Sequence, residues 1–111
     1  MSMISIGPLR PMNYESITID STAGGVALSA SEYKVYVTGY QNSEHAVEAV
    51  ITAETAESRW TVDGTAPTTT VGHVLSAGGS LTVQGEAAIA AFRAIRTGGS
   101  SATYHVTYFK R

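Results

Sequence analysis

The side chains best suited to chemistry are three histidines, His45, His73 and His105, and a loose acidic group of Glu54, Glu57 and Asp63. Imidazole and carboxylate together could hold a metal or pass a proton. Their spacing argues against both. No histidine stands in an H-x-H or H-E-x-x-H pattern. Asp63 precedes Gly64 in the run D-G-T-A-P-T, where Asp bonds its own backbone and Gly accepts positive φ, so it reads as a turn residue. Glycosidases need two carboxylates at a defined separation, and no pocket signal accompanies this acidic group. The chain has no Cys, which removes thiol catalysis, disulfides and Cys-ligated zinc together. Ser and Thr are abundant, but none sits in a nucleophile elbow. The glycine pairs Gly24-Gly25, Gly78-Gly79 and Gly98-Gly99 form no G-x-G-x-x-G before a helix and read as hairpin punctuation. The expectation is a protein that is not an enzyme, with no catalytic residue, metal or cofactor.

Aromatic residues offer a second kind of site. Trp60 with Tyr36, Tyr40, Tyr104 and Tyr108 would make a sugar-stacking platform if exposed. Aromatics on a β-sandwich more often fill the core or a subunit interface.

The elements that must position these residues are short and alternating. Glu15 to Asp20 places Ile17 and Ile19 on one face, a half-buried strand. Ser21 to Gly25 is a turn, and Val26 to Ser29 is a short strand expected to complete a hairpin with the first. Ser31 to Thr38 reads as strand from Tyr33, Val35 and Val37. Gly39 to Glu44 reads as a loop exposing Tyr40. Ala46 to Thr55 fits helical and strand spacing alike; Val, Ile and Thr at its middle favour strand. Glu57 to Asp63 carries Ser58, Trp60 and Val62 on one face, then turns at Asp63-Gly64 and again at Pro67. Trp60 and Val62 are expected as core anchors, and Asp63, Gly64 and Pro67 as a structural corner. Val71 to Leu75 reads as a short strand or irregular edge, Leu81 to Val83 as a strand, and Gly85 to Ile89 as a helical turn or loop. Phe92 to Thr97 and Ala102 to Lys110 alternate again, the last with Tyr104, Val106 and Tyr108 together.

About eight short strands separated by Gly/Ser/Thr turns predict an all-β fold, an antiparallel β-sandwich or jelly-roll-like barrel. The domain is expected over 13–111. Residues 1–12, with Pro8 and Pro11, read as an extended N-terminal arm. That arm is either a loose terminus or a strap on a neighbouring subunit. Ile4, Ile6 and Leu9 would serve the strap, and with Tyr40 they are the candidate interface residues.

Composition narrows the partners. The 111 residues suit one domain. Charged residues are 14% of the chain, well below the roughly 25% usual in globular proteins, and hydroxyl side chains fill the gap. Such a surface suits exposed β-faces or faces covered by partner subunits. The net charge of -2, with no basic stripe, predicts no nucleic-acid binding. No run of 18 apolar residues suggests a membrane span. The first twelve residues lack a basic region followed by an apolar one, so a secretory signal is not expected.

Two resemblances attach to the Arg59–Gly72 run, R-W-T-V-D-G-T-A-P-T-T-T-V-G. Its first ten residues resemble the strand and corner of small accessory β-sandwich modules in chitobiase-like secreted glycosidases. A wider set of runs resembles small structural proteins of tailed bacteriophages. These runs are I-T-A-E-T-A at 51–56, R-W-T-V-D-G-T-A-P-T-T-T-V-G-H at 59–73, L-S-A-G-G-S-L-T-V at 75–83, F-R-A-I-R at 92–96 and A-T-Y-H-V-T-Y-F at 102–109. The phage resemblance covers roughly 46–110. It implies a virion component without catalytic residues, most naturally a capsid decoration or cement protein. Such a protein would be a homo-oligomer whose partners are the major capsid protein or other virion subunits. A tail or head–tail connector component and a carbohydrate-binding module are the alternatives.

Overall fold

The computed structural model describes residues 9–36 and 43–111; Ile4, Ile6 and Tyr40 lie outside them. Among the described residues ten strands and two short helices follow in the order β1 (Arg10–Ile19), β2 (Val26–Ala27), α1 (Ala30–Tyr33), β3 (Lys34–Tyr36), β4 (Ser43–His45), β5 (Glu48–Glu54), β6 (Ser58–Thr61), β7 (His73–Leu75), β8 (Ser80–Gln84), α2 (Glu86–Ala91), β9 (Arg93–Arg96) and β10 (Ala102–Lys110). Two four-stranded sheets run β1-β10-β5-β8 and β2-β9-β6-β7, and β3 and β4 form a separate hairpin. All pairings are antiparallel. The chain is an all-β sandwich. β1 pairs with β10, β2 with β9, β5 with β8 and β6 with β7. That nesting is one long antiparallel ribbon rolled over itself, the jelly-roll arrangement.

The last strand organises the core. Tyr104, Val106 and Tyr108 alternate inward from β10 and are wholly buried. Their neighbours on β5 explain how two large rings fit: Tyr104 stands opposite Ala53 and Tyr108 opposite Ala49, while the smaller Val106 faces Ile51. Large against small across a ladder lets the layers interdigitate without voids. Each buried phenol finds a polar partner. Tyr104 shares a hydrogen bond with Ser58 of β6, and Tyr108 donates to Glu15 of β1. Burial raises both phenol pKa values; at Tyr108 the hydrogen bond to Glu15 and that carboxylate's charge push the same way.

Several local expectations change. The predicted arm does not extend to Met12, because Arg10 to Met12 belong to β1; Pro11 is tolerated there at a bulge, where the register shifts between Pro11 and Asn13. Val26 does not form a hairpin with β1. The Asp20 carboxylate accepts the Thr22 N–H at 2.9 Å, and the Gly25 N–H donates to the Thr22 carbonyl at 2.9 Å. That turn carries the chain from one sheet to the other, where Val26 pairs with Ala94. The strand predicted from Ser31 starts only at Lys34, as β3; the residues before it form α1, whose first turn closes with Glu32 N–H on the Ser29 carbonyl at 2.9 Å. The Asn13 amide donates to the Glu32 carbonyl at 2.9 Å and ties α1 onto β1. Part of the predicted loop before His45 is β4, paired with β3. The ambiguous Ala46–Thr55 segment is a strand over Glu48–Glu54, with Ala49, Ile51 and Ala53 inward.

Candidate functional site

The corner residues build a flap, with an open recess of about 360 Å³ lined by Thr61, Val62, Asp63, Thr65, Val71, Gly72 and His73. Trp60 turns inward: its ring stacks on Phe92 at 6.1 Å between centroids and meets His73 at 4.6 Å. Alternation then sends Arg59 and Thr61 to the outer face of the second sheet. From there the Arg59 guanidinium donates to the Thr69 carbonyl at 3.1 Å and to the Gly72 carbonyl at 2.7 Å. The Thr61 hydroxyl donates to the Thr65 carbonyl at 2.5 Å. The segment 62–72 is therefore drawn back across its own sheet. Pro67 is buried beneath it, next to Gly25 and Arg93, and Ile95 on the same outer face is only 8% exposed. Asp63 accepts the Thr65 N–H at 3.1 Å, which holds its carboxyl below the usual range, and Gly64 takes φ +90°. These are the features of a turn. Val71 and Val74 stay exposed beside it.

Trp60, Tyr104 and Tyr108 turn inward and so leave the aromatic platform that the sequence suggested; Tyr40 lies outside the described residues. Nor do the acidic residues gather. Glu54 pairs with His105, Glu57 accepts from the Thr97 hydroxyl at 2.9 Å, and Asp63 serves its own turn. His45 Nδ1 lies 3.3 Å from Glu86, and His73 packs on Trp60. Among the described residues no three His, Cys, Asp or Glu side chains form a metal-holding group. Leu9 is half-buried at a recess it shares with Val47, Gln84 and Arg111.

A different surface has the geometry of a site: the outer face of β1-β10-β5-β8. The register aligns its side chains in rows. Ser16, His105, Thr52 and Ser80 form one row, and Tyr14, Thr107, Val50 and Thr82 the next. Thr18, Thr103 and Glu54 lie above; Phe109, Glu48 and Gln84 lie below. Hydroxyls dominate this grid, with roughly 4.8 Å between strands and about 6.8 Å between rows. Glu48 and Glu54 are its two carboxylates, and Gln84 donates to Glu48 at 3.2 Å.

One hydrogen-bonded chain crosses three strands of this face. The Tyr14 hydroxyl from β1 donates to His105 Nδ1 of β10 at 2.5 Å, and His105 Nε2–H donates to Glu54 of β5 at 2.9 Å. The tautomer follows from the partners, since a carboxylate only accepts. The Tyr14 and His105 rings lie nearly parallel, 15° apart with centroids at 6.0 Å. Tyr14 is nonetheless 58% exposed. A ring held in place yet open to solvent is ready to bury itself against something else. Sequence reading missed this chain because its members stand 91 and 51 residues apart. No family model matches this chain, and no curated protein matches it in sequence.

Proposed function

We propose that this chain is a structural protein of a tailed-bacteriophage virion that decorates or cements the capsid by adhesion. The observation that carries this reading is the hydroxyl grid with its fixed Tyr14: a flat, sparsely charged face built for contact with another surface. The jelly-roll architecture, which recurs in viral capsid and lectin domains, and the phage-like runs over 46–110 support it. Fold likeness alone would not suffice, because such sandwiches host many functions.

The size of the face argues for multivalency. Strands of ten, nine, seven and five residues at about 3.4 Å per residue, spaced about 4.8 Å apart, give a projected area of roughly 500 Å². A stable single interface uses about 800 Å² per partner. One copy therefore holds weakly, and a homo-oligomer that engages several capsid subunits converts modest contacts into avidity. No bound nucleotide, metal or membrane enters this mechanism.

Immunogold electron microscopy of the encoding phage tests the assignment. Label should fall at regular positions over the head. Label confined to the neck or tail would move the protein to a connector or tail role, and unlabelled particles would overturn the virion assignment.

A further inference from the structure

The decoration reading leaves open which side chain sets the affinity and what it meets. We infer that Tyr14 is the affinity-determining anchor of the grid face, and that it seats in an apolar pocket of the capsid surface whose rim is basic. This inference rests on the decoration reading.

Tyr14 is the large exposed side chain of β1, and His105 holds its hydroxyl while Glu54 holds His105. A free surface tyrosine loses rotamer freedom on binding; this one has already lost it. Interface anchors are enriched in Tyr and sit amid contacts that exclude water while contributing little. Here Thr107 stands across from Tyr14 on β10 and Ser16 two residues along β1, so hydroxyls flank the ring on its inner side, while β1 itself is the edge strand of the sheet. The apolar edge of the ring calls for an apolar pocket. Glu54, next to His105, and Glu48, next to Gln84, make the face acidic. That charge disfavours a second copy packing face to face and favours a neutral or basic partner surface.

Binding to purified capsids of the encoding phage that lack this chain tests the inference, read by co-sedimentation across protein concentrations. Tyr14→Ala should weaken binding at least about 30-fold, the scale of an interface anchor. Tyr14→Phe keeps the ring and loses the tether to His105, so it should fall between wild type and Tyr14→Ala. His105→Gln should show a similar intermediate loss although its own contact area is small. Thr107→Ala, beside the ring, should bind within about threefold of wild type. Raised salt should weaken the wild type. Circular dichroism confirms that each variant is folded before it is scored. Wild-type binding together with undiminished Tyr14→Ala binding would overturn the anchor alone. Failure of the folded wild type to bind would overturn both the anchor and the decoration role.

Discussion

The two buried phenols make a sharp alkaline prediction. Tyr104 and Tyr108 are both wholly buried on β10, and burial raises both pKa values above the ordinary 10. In the unfolded chain each ionises near pH 10; in the folded chain each keeps its proton. Above pH 10 the folded state therefore binds more protons than the unfolded state, so stability falls as pH rises. Their stabilising contribution is fully present below pH 10. Each group removes up to about 1.36 kcal/mol per pH unit until its folded pKa is passed; Tyr108, pushed up by burial and by Glu15, sustains that slope, and Tyr104 adds to it just above pH 10. Two to three units above pH 10, Tyr108 alone removes roughly 3–4 kcal/mol, a large share of the about 5–15 kcal/mol by which a domain is stable. Urea titrations monitored by circular dichroism at half-unit steps from pH 9 to 12 measure the slope. A Tyr104→Phe/Tyr108→Phe variant should lose most of it. Absorbance near 295 nm gives an independent count of tyrosinate. Two of the six tyrosines should ionise only as the β-sheet signal disappears. A full six-tyrosinate signal from a chain with native circular dichroism would refute the reasoning, as would equal slopes in the two proteins.

Three further perturbations probe the packing. Arg59→Ala removes both guanidinium bonds to the flap carbonyls and should cost about 2 kcal/mol, given the exposure of one of them; hydrogen exchange should quicken in 65–72 before anywhere else in the second sheet. Gly25→Ala places a Cβ 2.8 Å from the Pro67 ring at φ +87°, and thermal denaturation should show a loss of about 2–4 kcal/mol from combined strain and clash. Ser58→Ala orphans the Tyr104 hydroxyl and should cost about 1–3 kcal/mol, whereas adding Tyr104→Phe should recover part of that loss, a coupling that a double-mutant cycle measures.

What the chain's own order determines is local. Alternation in Ala102–Lys110 foretold Tyr104, Val106 and Tyr108 on one face, and all three are buried. The 46–55 run fits two spacings, and the strand version its Val, Ile and Thr favour holds, with Ala49, Ile51 and Ala53 inward. Asp63-Gly64 was legible as a turn because a carboxylate that bonds two residues ahead and a residue free to take positive φ are properties of neighbours. Partner choice was less legible. The expected hairpin of Val26 with β1 failed because burial in two sheets, not proximity along the chain, decided that Val26 should meet Ala94. Arg59 read as a polar residue beside Trp60, but only the folded flap gives it two carbonyls to hold. The grid face shows the divide best. Period-two patterning puts His105 on the face of its strand opposite Tyr104 and Tyr108, but Tyr14 falls just before the strand predicted from Glu15, and Glu54 reads only as part of a loose acidic group. Only antiparallel register, set by packing the opposite face, brings the three into one hydrogen-bonded chain.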